Sequence, residues 1–294
     1  MLRLAIRQNH LRATTVAAVR CGLKASAART YFSGGSSAKP QRQRPSFGTP
    51  PVYSCWLATG SPLAAEIIAN VYDAVVIDGQ HGIGDTAAML TALSAAPTPP
   101  IAIVRVSKLC DGEIAKALDA GAHALICPMI NSVKEADAFV KAAMYPPHGH
   151  RSFGPHRAIL PHIAAPTGSL GDWVRNENAN IKTFAMIETR GGLDDLEAIL
   201  QVPGLTGVFI GPNDLSLCLG AEPSSAPEGE VLQTIERIVN TAHKYGLQAG
   251  IFCGEPQTAK RMAALGFDLI NVGSDMGFIA GGAAASLAEA RRVE

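Results

Sequence analysis

The first carboxylate in this chain of 294 residues is Glu66, and charged residues make up only 17% of the whole. Nine bases, from Arg3 to Arg44, fall within the first fifty residues, so that of 25 in all only 16 remain to face the 25 acids of the body. That leaves the body about nine charges negative. A nucleic-acid surface is thereby excluded, because it needs clustered cations to displace counterions from phosphates. No eighteen-residue run is uninterruptedly apolar, and no membrane span is expected. The six cysteines, Cys21, Cys55, Cys110, Cys127, Cys218 and Cys253, include no CxxC pair and no spacing of a zinc site or a disulfide framework. They read as buried thiols of a reducing compartment.

At the amino end the missing acid is matched by spaced arginines among alanine, serine and threonine. This is the pattern of an amphipathic organelle-targeting peptide, and its apolar runs are too short for the core of a secretory signal. Arg29-Thr30-Tyr31 followed by Phe32-Ser33 resembles a matrix-protease cleavage site, and Gly34 to Pro51 reads as a Gly/Ser/Pro/Arg connector. Residues 1–51 are therefore expected to be a mitochondrial targeting peptide with a disordered linker, delivering the protein to the matrix. The alternative is a basic tail on a cytosolic protein. Residues 52–294 form one domain, and the chain's 47% hydrophobic content supplies an ample core.

From Tyr53 onward, short apolar runs alternate with helical stretches, the sign of repeated βα units and a parallel sheet. Eight strands are expected, at Tyr53–Leu57, Ala74–Ile77, Ile101–Val106, Ala124–Cys127, Thr183–Ile187, Gly207–Ile210, Gln248–Phe252 and Leu269–Val272. Their continuous hydrophobicity suits strands covered on both faces. Helical spacing marks Ser61–Val71, Asp111–Ala120, Ser132–Met144, Leu193–Leu200, Glu228–Tyr245 and Pro256–Ala264. Eight such units predict an α/β fold, a (β/α)8 TIM barrel. The open doubly wound sheet is the alternative, but no GxGxxG opens a helix after the first strand.

A barrel places its catalytic groups just beyond the carboxyl ends of its strands. There the chain has Asp78 to His81, Arg105, Pro128, Glu188, Gly211 to Asp214, and Gly273-Ser274-Asp275. Glu188 and Asp214 end neighbouring strands five and six, so two carboxylates project into one mouth and repel unless a cation lies between them. Hard oxygen ligands with open positions suit Mg²⁺, Mn²⁺ or Co²⁺, with water and a chelating substrate completing an octahedron. Asp214 could instead be a helix cap.

Arg105 closes an apolar strand, where a buried guanidinium needs a carboxylate or an enolate oxygen. A structural ion pair with Asp78 or Glu188 is the alternative. His81, flanked by Gly79 and Gly82, is the candidate base, and a nearby Asp would fix its tautomer. Among the other histidines, His148, His150, His156 and His162 crowd one long loop expected to shape a lid, while His123 and His243 read as ordinary helix or surface residues. Backbone N–H groups of Asn213 and Asp214, after Gly211-Pro212, offer an anion site at a helix start. With Arg105 they would hold a small carboxylate while the metal grips the adjacent keto oxygen, which a 2-oxo acid satisfies.

These motifs resemble the pyruvate-dependent class II aldolases, the HpcH/HpaI aldolase family, typified by 4-hydroxy-2-oxoheptanedioate aldolase and including 2-dehydro-3-deoxyglucarate aldolase and the fungal macrophomate synthase. The resemblance runs from Trp56 to about Asp275. It is carried by IDGQHG at Ile77–Gly82, LDAGAHALICPMI at Leu118–Ile130, YPPHGHRSFG at Tyr145–Gly154, IETRGGLDDLEAIL at Ile187–Leu200 and GVFIGPNDLS at Gly207–Ser216. It implies a barrel of the phosphoenolpyruvate/pyruvate type, metal binding by Glu188 and Asp214, proton acceptance by His81 and enolate stabilisation by Arg105. It further implies that Asp119 or Asp78 raises the basicity of His81, Asp119 from across a subunit boundary. On the residues alone Asp119 is only a helix-end residue before Gly121. Homo-oligomerisation, as a hexamer, is also implied, and the apolar run Phe278 to Ala290 could pack on a neighbour.

Two departures stand out. Met186 replaces the glutamine with which bacterial heptanedioate aldolases contact substrate, making the aldehyde pocket more apolar. Gln80 replaces a glutamate. The stretch from His156 to Ile181 carries no legible motif.

The implied reaction is cleavage of a 4-hydroxy-2-oxo acid to pyruvate and an aldehyde. Oxaloacetate decarboxylation or a macrophomate-synthase-like reaction would use the same residues, and a noncatalytic 2-oxo acid or metal-binding module is the reading from a different class. A lysine Schiff base would have to rest on Lys108, which follows Ser107 in a loop rather than standing on a strand in an apolar pocket.

Overall fold

The computed structural model of the chain describes residues 50–87, 90, 101–164, 166, 168–224 and 226–292. The leader read at residues 1–51 lies outside them except for Pro50 and Pro51. Eight parallel strands close into one barrel in chain order. They are β1 Val52–Leu57, β2 Ala74–Asp78, β3 Ile101–Arg105, β4 Ala124–Cys127, β5 Lys182–Met186, β6 Gly207–Ile210, β7 Gln248–Cys253 and β8 Leu269–Ser274.

The helices among the described residues are α1 Pro62–Ala69, α2 Asp111–Asp119, α3 Val133–Ala143, α4 Leu160–Ala164, α5 Leu170–Asn180 and α6 Arg190–Asp194, followed by α7 Leu196–Ile199, α8 Pro212–Cys218, α9 Gly229–Lys244, α10 Pro256–Ala264 and α11 Asp275–Ala290. None is long and apolar enough to cross a membrane.

Side chains alternate across a strand, so residues two apart share a face. In β2, Ala74 and Val76 belong to the cluster that fills the barrel, while Val75 and Ile77 belong to the cluster between sheet and helices. The same parity puts Ile101 and Ile103 of β3, Phe184 and Met186 of β5, and Phe209 of β6 inside. Two steps further along each inner row come Asp78, Arg105, Glu188 and Gly211. The groups at the mouth thus continue the rows of the apolar filling, and the pairing of β2 with β3 sets Asp78 directly beside Arg105.

Several element limits differ from the sequence expectation. Strand β5 ends at Met186, so Glu188 stands two residues beyond it, not on it. The single helix expected at Leu193–Leu200 is two short ones, because Asp195 breaks the helical geometry between α6 and α7. The stretch without a motif, His156 to Ile181, folds as α4 and α5. The start of α5 is a capping box in which Ser169 and Asp172 exchange side-chain-to-backbone bonds. The small apolar run near the end is part of α11, a helix of 16 residues of which only Asp275 is buried.

The described cysteines are free thiols, three of them buried. Burial pushes Cys55, Cys127 and Cys253 up to about 12, which keeps them protonated.

Candidate active site

The carboxylate of Asp78 is the hub of one half of the mouth. Its Oδ1 accepts from Arg105 Nε at 2.9 Å and its Oδ2 from Arg105 Nη2 at 2.7 Å. Trp56 Nε1 donates to Oδ2 at 3.0 Å, and the backbone amides of Gln80 and His81 donate to Oδ1 at 3.0 and 3.1 Å. Burial opposes ionisation, but the bonds from Arg105 outweigh it with help from Trp56 and His81, and Asp78 titrates below the ordinary carboxylate range.

Arg105 stacks its guanidinium 4.7 Å over the Trp56 ring. Two of its nitrogens are spent on Asp78, and Nη1 makes no hydrogen bond among the described residues. The structural ion pair considered above therefore exists, and it fixes the plane of the guanidinium while leaving one edge for a ligand.

His81 is brought to the same mouth with its ring exposed. Asp78 accepts from its backbone amide rather than from its imidazole, so Asp78 shapes the loop and does not set the tautomer by direct contact. Asp119 is placed elsewhere. It ends α2, and four residues later His123 pairs with Ala102 near the start of β3, toward the barrel end away from the mouth. There its carboxylate accepts from Arg151 Nη2 at 2.6 Å.

The other half of the mouth is acidic. Glu188 is 2% exposed, and its Oε1 accepts from the amide of Met129 at 2.9 Å, whereas Oε2 is buried with no partner. Burial raises Glu188 to about 7. The Met129 amide and the charge of Arg105 act in the opposite direction, and Asp214 adds to the rise. Met129 adopts φ +56°, a left-handed conformation uncommon for a residue with a side chain, and this aims its amide at Glu188.

Gly211 leaves room for the Glu188 carboxylate, since a Cβ at that position would lie 2.3 Å from Glu188 Oε2 and would have to displace it. It precedes α8 and contributes no side-chain cap, and Asn213 and Asp214 stand exposed in the first turn. Met186 is buried beneath them as floor, and a Cβ on Gly211 would come 2.7 Å from its Cε.

Two carboxylates within electrostatic reach, one with an orphaned buried oxygen, form an oxygen donor set that fits a hard divalent ion. No group of three or more His, Cys, Asp or Glu that could hold a metal occurs among the described residues, so other positions would belong to water and substrate. Lys108 is exposed in the loop after β3, and Lys182 begins β5 at the opposite end of the barrel.

The histidine-rich loop packs on the flank of its own barrel. It is strapped to α2, with His150 Nε2 3.0 Å from Asp111 at the first residue of that helix. Arg151 binds Asp119 at its last residue, and Arg157 binds the carbonyl of Ala120. A loop that follows the carboxyl end of α3 starts away from the mouth, which the sequence position of its histidines did not reveal. His123 accepts from the Ala102 amide through Nδ1 at 3.0 Å, and His243 pairs with Asp268 at 3.0 Å. Both are structural. Asp275, just past the end of β8, spends its carboxylate on the segment after β1 at the rim of the mouth.

Trp56 and Met129 are site residues that the sequence reading missed. An indole at the inner parity near the end of β1 was a usable signal for Trp56, but nothing in the sequence announces the left-handed backbone of Met129.

Residues 53–280 match the model of the HpcH/HpaI aldolase/citrate lyase family. A hydroxypyruvate/pyruvate aldolase of Rhizorhabdus wittichii is 39% identical over 246 residues, spanning 82% of this chain and 94% of that protein. Among solved structures, a HpcH/HpaI aldolase/citrate lyase family protein of Burkholderia cenocepacia aligns with a TM-score of 0.74 at 30% identity, covering 82% of this chain and 95% of that one. Macrophomate synthase aligns with a TM-score of 0.73 at 26% identity, covering 82% and 84%.

Proposed function

The chain belongs to the HpcH/HpaI aldolase/citrate lyase family and is a carbon–carbon lyase of the pyruvate-aldolase type, and from that premise we propose that it is a divalent-metal-dependent aldolase cleaving a 4-hydroxy-2-oxo acid to pyruvate and an aldehyde. The observation that carries this reading is the buried, unpartnered Oε2 of Glu188 opposite the free edge of the Asp78-bound Arg105. Glu188 and Asp214 would hold Mg²⁺, Mn²⁺ or Co²⁺, which supplies Lewis acidity toward the oxygens of a 2-oxo acid.

The chain's own residues do the rest. Arg105 presents Nη1 to the negative charge that develops on the keto oxygen as the C–C bond breaks, and Asp78 with Trp56 keeps the guanidinium from turning. His81 accepts the proton of the 4-hydroxyl as the C3–C4 bond breaks, so that C4 becomes the aldehyde and the bonding pair passes to the pyruvate enolate, and return of that proton to C3 gives pyruvate and restores the base. Amides of Asn213 and Asp214, next to Gly211, face the substrate carboxylate, and Met186 gives the pocket an apolar floor. Asp119 lies toward the opposite end of its own barrel from His81 and does not serve it. In this proposal it serves His81 of a second copy in a homo-oligomer, a hexamer, in which the exposed apolar face of α11 is covered. Residues 1–51 deliver the protein to the mitochondrial matrix. Their acid-free, arginine-spaced composition supports this, and diffuse cytosolic signal from a fluorescent fusion of that segment would reject it.

The test of the reaction is chelation. Removing metal should abolish aldehyde release, and Mg²⁺, Mn²⁺ or Co²⁺ should restore it, while borohydride with pyruvate leaves the protein unmodified and Lys108→Ala stays active. A pyruvyl adduct on Lys108, with activity surviving chelation, would sink the proposal. A second reading, oxaloacetate decarboxylation or a macrophomate-synthase-like reaction, is favoured by the structural match to macrophomate synthase. It needs Arg105 and both carboxylates but no base on a hydroxyl, and parallel aldehyde and CO₂ assays separate it.

A further inference from the structure

We propose that Asp275 is a positioning residue that holds the His81 loop in place from the far side of the barrel seam, so that the start of α11 and the proton acceptor move as one unit. The inference rests on the reading of His81 as the base.

Asp275 is the one buried residue of its helix, 1% exposed, and no ion pair among the described residues compensates its charge. An isolated buried carboxylate is costly unless its lone pairs are filled. Four donors fill them. Oδ1 accepts from the amide of Ala58 at 2.9 Å and from that of Met276 at 2.8 Å. Oδ2 accepts from the amide of Thr59 at 3.1 Å and from its hydroxyl at 2.5 Å. Three of the four come from the segment after β1, more than two hundred residues away in sequence, so the carboxylate ties the two ends of the barrel together where β8 closes on β1.

That segment in turn carries the His81 loop. The amide of Ile83 donates to the carbonyl of Ala58 at 3.0 Å. Gly60, at φ +70°, packs backbone to backbone on Gly84, and a Cβ on Gly60 would lie 2.2 Å from the Gly84 Cα. On its other side the loop hangs from Asp78, which binds the amides of Gln80 and His81. The loop is thus held on two sides, and the Asp78 side also includes the Gly79 amide on the Arg105 carbonyl at 2.8 Å. Asp78 is occupied with Arg105, and the other side, Ala58 to Gly60, is itself held by Asp275. The mechanism gives Asp275 no contact with substrate, yet a buried charge is spent on this turn.

Asp275→Asn keeps the shape but turns an acceptor into a donor facing the amides of Ala58 and Thr59. Thr59→Val removes one bond and is the milder variant, and Thr59→Ser retains it. We measure hydrogen–deuterium exchange of residues 79–84, aldol cleavage and oxaloacetate decarboxylation in the metal-loaded full chain, with His81→Ala as reference. The expected result for Asp275→Asn is exchange in 79–84 faster by about tenfold and aldol kcat lower by up to about a hundredfold, with KM for the 2-oxo acid and decarboxylation nearly unchanged. Thr59→Val should show a smaller loss of the same kind, and Thr59→Ser none.

Unchanged exchange in 79–84 for both Asp275→Asn and Thr59→Val overturns the coupling. Equal loss of both activities, where His81→Ala loses only cleavage, overturns it too and makes Asp275 merely structural. If His81→Ala itself lowers both reactions alike, the base reading fails, and the exchange measurement alone then decides whether Asp275 holds the loop.

Discussion

Two regions of the molecule are built from the same three parts and present opposite charges. At the mouth, Arg105 lies over Trp56 and grips Asp78. On the flank of α2, Arg151 lies 4.3 Å over Tyr145 and grips Asp119. In the first trio the carboxylate is sealed, accepting five hydrogen bonds, and the guanidinium keeps a free edge toward the cavity. In the second the guanidinium is sealed, its Nε and Nη1 without partners, while the carboxylate of Asp119 is 26% exposed. The fold therefore offers a positive charge inward and a negative charge outward from one arrangement. What differs is that both members of the first pair lie on inner strand rows, whereas the second joins a loop arginine to the carboxylate at a helix end.

The widest gap between the two trios should appear in turnover. Arg105→Lys keeps the charge but not the planar fork, and it should lower kcat/KM roughly a thousandfold, about 4 kcal/mol of transition-state stabilisation. Steady-state kinetics with wild-type-like values would remove Arg105 from the site. Stability gives a smaller contrast. Arg105→Met strands the buried Asp78 and should cost about 3–5 kcal/mol in urea unfolding of the metal-free protein. Arg151→Met leaves Asp119 partly solvated and should cost only about 1–2 kcal/mol. Equal losses would mean that exposure of the carboxylate does not separate the trios.

The smallest effect lies within the mouth, where the two carboxylates shift in opposite directions. Asp78, held low, contributes stability above its unfolded pKa, and that stability is lost as pH falls through its folded value. Glu188, raised from 4.5 to about 7, behaves inversely. Between those values the folded metal-free protein holds a proton that the unfolded chain does not, so this contribution to stability declines as pH rises through the window. A metal must displace that proton, and apparent Mn²⁺ affinity should fall about tenfold per pH unit below pH 7 and level off above it. Calorimetric titrations showing no slope for the native protein would contradict the buried state of Glu188.

The strands were legible because their inner rows are continuous apolar runs bounded by Gly, Pro and Asp, and expected and observed limits agree within two residues. Asp78, Arg105, Glu188 and Asp214 were legible for the same reason, as polar residues at or just beyond the carboxyl ends of such runs. Less was visible in the histidine-rich loop. Four histidines in a row of turns suggest a roof over a site, but Asp111, Asp119 and Ala120 hold the loop against α2. The helix α5 was hidden by its polarity, its buried residues being only Trp173 and Glu177.

By itself the sequence determined the barrel and the identity of the groups at its mouth, because strand periodicity and turn chemistry act over a few residues and repeat eight times. Tertiary structure alone decided how those groups are paired. The pairing of β2 with β3 gave Asp78 to Arg105 instead of to the imidazole of His81. A left-handed Met129 aimed an amide at Glu188. Closure of β8 on β1 brought Asp275 to Thr59, a contact across 216 residues that no local pattern encodes, since it exists only once the ring is complete.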